Sequence, residues 1–251
     1  MLVAYASSVN IVLPKKATNR VDYAAEYLQK KLLQQGFAVS VTKNGKADKN
    51  SECKVYLSIS KNTASLKKEG FEITTTVKQS KKGAITNISI VGNDGTGCIY
   101  ACNELAEQIK KNGISKLPSS VKDAPEMVLR GGCIGVQKPY LLPGRMVYEY
   151  PYTPELFPWF YDKQHWIEYL DMLVENRMNS VYLWNGHPFA SLVKLPDYPY
   201  AVEVDDATFE KNKEIFAFLT KEADRRGIFV IQMFYNILVS KPFAEHHKIR
   251  T

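Results

Sequence analysis

The chain has 251 residues, of which 45% are hydrophobic and 24% charged, and its formal net charge is +7. This composition is typical of globular proteins, so it excludes an intrinsically disordered or fibrous protein, and the length allows two domains. No run of 18 or more apolar residues occurs, which excludes a membrane span from the sequence.

The positive charge is confined to the first half. Residues 1–126 carry a net charge of +8 and residues 127–251 a net charge of −1, whereas 22 of the 29 aromatic residues lie in the second half. The basic residues of the first half are mostly lysines with few aromatics nearby, and nucleic-acid grooves usually interleave arginine with stacking aromatics. We therefore expect a solvated lysine-rich surface and no nucleic-acid partner, with a polyanion site as the weaker alternative.

The first half alternates short apolar segments with two amphipathic helices. The opening residues MLVAYASS are either an edge strand or the remnant of a signal peptide. Helical spacing of apolar residues predicts the two helices, and alternation or β-branched content predicts the strands. The pattern predicts a small α/β sandwich domain, in which a mixed sheet is covered by both helices on one face. The predicted elements are a strand at 9–13, a helix at 19–35 capped by Asn19, strands at 37–42 and 54–60, a hairpin of 71–78 with 84–91, and a helix at 97–111.

A polar segment with two prolines, residues 114–126, marks the predicted junction between domain 1–124 and domain 125–251. Beyond it, continuous apolar strands alternate with helices, which indicates parallel β/α units. A complete (β/α)8 TIM barrel needs about 250 residues, so the fold class predicted for this half is the first β/α units of an incomplete barrel. The predicted elements are strands at 127–134, 179–183 and 228–234, helices at 162–176 and 207–226, and loops at 140–158 and 240–251.

Candidate binding residues follow from the predicted strand ends, because barrel enzymes place their sites where strands end and loops begin. Their side chains suit a sugar: Arg, Asn and His hydrogen-bond hydroxyl groups, and Trp and Tyr offer stacking surfaces. The alternative is that Arg130 forms a structural ion pair and that Trp184 belongs to the core. The candidates are Arg130, Trp184, Asn185, His187, Tyr235 and Asn236.

No catalytic residue can be assigned from the sequence. Glycoside hydrolysis usually needs a pair of carboxylates, and none directly follows a predicted strand. We also expect no cofactor and no metal: the glycine-rich segment 92–97 is typical of a capping turn, and His187, His246 and His247 lack zinc spacing. The carboxylates that lie in loops of the second half are Glu149, Asp197, Glu203, Asp205 and Asp206.

Several segments resemble α-glucuronidases and β-hexosaminidases. VNIVLP, LLQQGF, VYLSIS and GNDGTGCIYACNELAEQI resemble the non-catalytic α/β domain that precedes their barrel, and APEMVLRGG, LVENRMNSVYLWNG and EADRRGIFVIQMF resemble its first three strands. The resemblance implies a carbohydrate substrate, contacted by Arg130, and a periplasmic or extracellular bacterial location. It also implies that the catalytic acid and its partner come from the fourth strand onward, downstream of Thr251.

Two functions remain open at this stage. The first is the N-terminal portion of a glycoside hydrolase, inactive as residues 1–251 alone. The second is a non-catalytic module that binds a glycan or a protein partner through the aromatic half. The sequence does not indicate the sugar, the linkage, the stereochemical outcome or the oligomeric state.

Overall fold

A computed structural model describes residues 7–60, 66–80, 83–135, 151–184, 189–233 and 239–249. The chain divides into two compact units. The first unit comprises residues 1–128, 174–177 and 225–227, and the second comprises residues 129–173, 178–224 and 228–251. Asn185, His187, Tyr235 and Asn236 lie outside the described residues, as does Glu149.

The described part of the first unit forms a mixed six-stranded sheet in the order β2-β1-β3-β5-β4-β6. β2, β1, β3 and β5 pair in parallel, while β4 pairs antiparallel with both β5 and β6. The strands are β1 (Ser8–Val12), β2 (Ala38–Thr42), β3 (Cys53–Ile59), β4 (Phe71–Ser80), β5 (Gly83–Gly92) and β6 (Ser120–Asp123). The predicted hairpin is therefore confirmed, and it supplies the antiparallel part of the sheet.

Two helices cover this sheet, α1 (Asn19–Gln34) and α2 (Gly95–Asn112). They pack against each other and against the strands, and their apolar stripes, which include Leu28 and Ile99, are fully buried. The cap of α1 is Thr18, whose hydroxyl accepts a hydrogen bond from the Val21 N–H, so the prediction of Asn19 as the cap was wrong by one residue. A threonine oxygen satisfies an amide at the helix start as well as an asparagine oxygen does.

The glycine-rich segment 92–97, at the start of α2, forms the cap of this helix. The Asp94 carboxylate accepts hydrogen bonds from the backbone N–H groups of Gly97 and Glu69, at 2.9 and 3.0 Å. A Cβ atom on Gly97 would lie 2.3 Å from the Gly70 carbonyl oxygen. The glycine is therefore needed for the close approach of two backbone segments.

The second unit contains a three-stranded parallel sheet in the order β7-β8-β9. Its strands are β7 (Gly131–Gly135), β8 (Ser180–Trp184) and β9 (Phe229–Met233), and its helices are α3 (Lys163–Glu175, whose last two residues belong to the first unit), α4 (Phe189–Leu192), α5 (Asp206–Arg225) and α6 (Lys241–His246). The β/α alternation and the parallel pairing of this half are as predicted. Among the α-helices and strands of the described residues, β6 of the first unit and α4 and α6 of the second were not predicted.

An aromatic core supports the helices of the second unit. Tyr152, Phe157, Phe160 and Trp166 are fully buried, and the Tyr152 and Phe160 rings stack with centroids 5.1 Å apart. The aromatic residues in this part of the second half therefore serve packing rather than ligand binding.

A buried asparagine, Asn212 on α5, joins three segments next to this core. Its Nδ2 group donates to the carbonyl oxygens of Tyr152 at 3.0 Å and Ser191 at 2.9 Å, and its Oδ1 accepts from the Tyr161 hydroxyl. One side chain thus fixes the segment before α3 and the helix α4 against α5.

Among the described residues, none of the helices has the length and apolar character that crossing a membrane requires.

Candidate functional site

The carboxyl edge of the parallel sheet is the candidate site, because ligands bind at this edge in parallel α/β folds. In register, the last residues of β7 and β8 are Gly135 and Trp184. The Trp184 side chain is 39% exposed, so a large ring stands partly open at the strand end. Four other candidates, Asn185, His187, Tyr235 and Asn236, belong to the segments that follow β8 and β9 and lie outside the described residues.

Arg130 lies at the opposite side of the sheet, at the amino ends of the parallel strands. It precedes β7, and its carbonyl oxygen accepts hydrogen bonds from the N–H groups of Asn179 and Ser180, at 2.8 and 3.0 Å. Its own N–H donates to the Asn179 Oδ1 at 2.8 Å. A five-residue strand spans roughly 15 Å, so the expectation that Arg130 and Trp184 lie at the same strand edge was wrong.

The reason is the position of the first strand of this half. The apolar run Met127–Leu129 led to the prediction of a strand at 127–134. In the structure this run precedes β7, and its residues Met127 and Val128 are 68% and 82% exposed. The strand begins only at Gly131, where the sequence offers glycines. A Cβ atom on Gly131 would lie 1.9 Å from the Ser180 carbonyl oxygen, so the close strand pairing itself requires a glycine there.

An aromatic and histidine cluster occupies the segments that follow β8 and β9, and we call it the Tyr200 cluster. A short 3-10 turn at Pro199–Ala201 contacts α6. The Tyr200 ring stacks on the His246 ring with centroids 3.9 Å apart and an interplanar angle of 22°, and the Tyr200 hydroxyl lies 2.8 Å from the His247 Nε2. The members of the cluster are Tyr198, Tyr200, Phe243, His246 and His247.

The Tyr200 cluster is open to solvent. Tyr198 is 41% exposed, His246 and His247 are exposed, and Tyr200 and Phe243 are half-buried. Sequence reasoning missed it because the two histidines were tested only for zinc spacing and residues 240–251 were expected to be a loop. The sequence signal that was available is the spacing of Tyr198 and Tyr200 and the adjacent pair His246-His247.

Glu203 ties the two segments of the cluster together. Its Oε1 accepts the backbone N–H of Lys241, the first residue of α6, at 2.5 Å. Burial raises the pKa of the Glu203 carboxyl, while the Lys241 N–H and ammonium group act in the opposite direction. The N-terminus of α6 is also capped by the Ser240 hydroxyl, which accepts from the Phe243 N–H.

Two of the other loop carboxylates have structural contacts. Asp205 caps α5 by accepting the Thr208 N–H at 2.7 Å, and this bond lowers the pKa of the Asp205 carboxyl. Asp206 pairs with Lys194 at 2.6 Å, and Asp197 is exposed in the loop before the 3-10 turn. Within the described ranges, moreover, no group of three or more His, Cys, Asp or Glu side chains is arranged to hold a metal ion.

The comparisons with known proteins find relatives among solved structures. No family model matches the chain, and no curated protein does. A GH138 enzyme targeting pectin rhamnogalacturonan II is 54% identical, with a TM-score of 0.82 over 97% of this chain and 26% of that chain. The Flavobacterium johnsoniae chitobiase is 17% identical, with a TM-score of 0.52 over 89% of this chain and 30% of that one.

These matches support similarity to a glycoside hydrolase but do not single out the α-glucuronidase or β-hexosaminidase type. The chain spans about a quarter of the length of the GH138 enzyme. The chitobiase match shows a shared fold alone.

Proposed function

We propose that this chain is the N-terminal portion of a glycoside hydrolase that acts on a pectic polysaccharide. The observation that carries the proposal is the 54% identity to the GH138 enzyme over 97% of this chain. The match covers 97% of the chain, so it extends over both compact units.

The proposed fold of the second half is the start of a (β/α)8 TIM barrel. β7, β8 and β9 are parallel and consecutive. Val181 and Leu183 are buried on one face of this sheet. Trp184 and Phe229 lie on the other face, where they are 39% and 49% exposed. In a closed barrel this face is filled by side chains from the other strands. In this proposal residues 1–124 form the non-catalytic α/β domain and residues 125–251 begin the catalytic domain.

The catalytic carboxylates belong to residues downstream of Thr251 in this proposal. Asp205 caps α5 and the pKa of its carboxyl is lowered, whereas a general acid needs a raised pKa. Asp206 is exposed and pairs with Lys194. An α-glucuronidase or β-hexosaminidase type of reaction and a periplasmic or extracellular location remain part of the proposal, because the sequence segments resemble those families.

The test compares residues 1–251 with the complete gene product on pectic oligosaccharides. We expect sugar release by the complete product and none by residues 1–251. In the complete product, Trp184→Ala should raise KM. Trp159→Ala, which removes a half-buried tryptophan beside the aromatic core, is the matched control and should leave KM unchanged. A coding sequence without further Asp or Glu at strand ends, or turnover by residues 1–251 alone, would refute the proposal.

A second function, a non-catalytic glycan-binding module, is favoured by the structural contacts of the described loop carboxylates. It predicts glycan binding without sugar release by the complete gene product, so the same assay separates the two.

A further inference from the structure

The Tyr200 cluster is assembled from two segments that lie about forty residues apart in the chain. The 3-10 turn at Pro199–Ala201 follows β8, and α6 follows β9. Because both segments leave the carboxyl ends of neighbouring parallel strands, the topology brings them to the ligand-binding edge of the sheet.

Backbone contacts hold the two segments in place. Glu203 accepts the Lys241 N–H at 2.5 Å, and the Glu203 N–H in turn donates to the Ala190 carbonyl oxygen at 2.9 Å. Ala244, in the middle of α6, is fully buried. The rings are therefore presented by anchored segments, and a surface with little freedom to lose binds a ligand at a smaller entropic cost.

The rings themselves are arranged around Tyr200. The His246 ring covers one face of Tyr200 at 3.9 Å, and the Tyr198 ring stands at 82° to Tyr200 with centroids 6.3 Å apart. Phe243 packs against His247 with centroids 4.4 Å apart. Two nearly perpendicular tyrosine rings thus form a corner, with the two histidines beside it.

A sugar ring matches this chemistry. The faces of a pyranose carry C–H groups, which pack on the electron-rich faces of aromatic rings. Its hydroxyl groups require hydrogen-bond partners, and histidine ring nitrogens and tyrosine hydroxyls both donate and accept. A purely apolar partner would bury the polar edges of His246 and Tyr198 without offering them hydrogen bonds.

We infer that the Tyr200 cluster is a binding subsite for a pyranose unit of the glycan. Tyr198 supplies the stacking face, and His246 and His247 supply the hydrogen-bonding edges. This inference rests on the proposed function for the identity of the glycan, but it concerns binding alone and requires no catalysis.

Footprinting of histidines in the complete gene product tests the subsite directly. Diethylpyrocarbonate modifies accessible imidazole rings, and peptide mass spectrometry reports the modification rate of each histidine with and without pectic oligosaccharides. His165 on α3 is also exposed and provides an internal control. We expect the oligosaccharide to slow modification of His246 and His247 several-fold and to leave His165 unchanged, whereas glycerol at equal mass should protect none of them.

Variants identify the contact. Tyr198→Ala should raise the oligosaccharide concentration needed for half-protection by about tenfold, which corresponds to about 1.4 kcal/mol, while Tyr198→Phe, which keeps the ring, should retain most of the protection. Tyr56→Ala, at a half-buried tyrosine on β3, is the matched control and should behave as the wild type. Circular dichroism confirms that each variant is folded.

Equal modification rates with and without oligosaccharide, protection that extends to His165, or unaltered protection in Tyr198→Ala would each overturn the subsite. Sugar release measured on the same preparation keeps the two proposals apart. Release without histidine protection removes the subsite only, and protection without release removes the hydrolase only.

Discussion

Replacing Asn212 by alanine removes a buried polar side chain that bridges three segments of the second unit. Asn212 is fully buried and makes three hydrogen bonds, to the Tyr152 and Ser191 carbonyl oxygens and to the Tyr161 hydroxyl. Asn212→Ala leaves all three partners without this contact, and two of them are main-chain groups in a buried environment.

The magnitude follows from these contacts. A hydrogen bond contributes about 1 kcal/mol net, and a buried group left without a partner costs about 1 to 3 kcal/mol. We therefore expect Asn212→Ala to lower the free energy of unfolding by about 3 to 5 kcal/mol. At about 2 to 4 °C per kcal/mol for a chain of this size, the melting temperature should fall by roughly 6 to 20 °C.

Urea denaturation followed by circular dichroism and tryptophan fluorescence measures the change. Tyr161→Phe removes one of the three hydrogen bonds and should cost about 1 kcal/mol, and it should cost less in the Asn212→Ala background, since the two groups share a contact. Lys213→Ala, at the exposed neighbouring residue, should stay within about 0.5 kcal/mol. If Asn212→Ala cost no more than Lys213→Ala, the bridging role of Asn212 would be refuted.

Three further predictions concern glycines, cysteines and one carboxylate. Gly131→Ala should destabilise residues 1–251 by about 1 to 3 kcal/mol, because its Cβ would lie 1.9 Å from the Ser180 carbonyl oxygen. Gly135→Ala is the control, since a Cβ there meets nothing within 4 Å. Equal melting temperatures for the two variants would contradict this reasoning. Burial raises the pKa of the Cys53 and Cys98 thiols to about 12 and also raises that of Cys102. Iodoacetamide should therefore modify only the exposed Cys133 in native residues 1–251. Modified Cys98 found by mass spectrometry without denaturant would count against this prediction. Burial raises the pKa of the Glu203 carboxyl, so its charge costs stability above that pKa and the cost is lost as pH falls. Glu203→Gln keeps an oxygen for the Lys241 N–H and should therefore raise the melting temperature near pH 7 but not at about pH 4. A gain of equal size at both pH values would rule out this explanation.

The periodicity of apolar residues was sufficient to place most strands and helices. The helix predicted at 97–111 is part of α2, and the strand predicted at 179–183 differs from β8 by one residue at each end. These elements bury an apolar face or run, which leaves a direct trace in the sequence. β6 was missed because Ser120–Asp123 is short and largely exposed, and it is a strand only because β4 pairs with it.

The candidate site was harder to predict, for two physical reasons. Arg130 was assigned to the wrong edge of the sheet because an apolar run outside β7 carried a stronger strand signal than the glycines within it. The Tyr200 cluster depends on a contact between residues 198–200 and 243–247, which are distant in sequence. No local sequence pattern encodes such a contact, so it can be recognised only from the three-dimensional structure.

The hairpin of β4 and β5 is more local in sequence than the pairings of β1 with β2 and β3. Its ten residue pairs, from Phe71 with Gly92 to Ser80 with Gly83, are close along the chain, and hairpins of this kind close within microseconds. β1 pairs in parallel with β2 and β3, and each of these pairings must close a longer loop first. β1, although synthesised before β3, therefore completes its pairing only after residues 53–59 have left the ribosome.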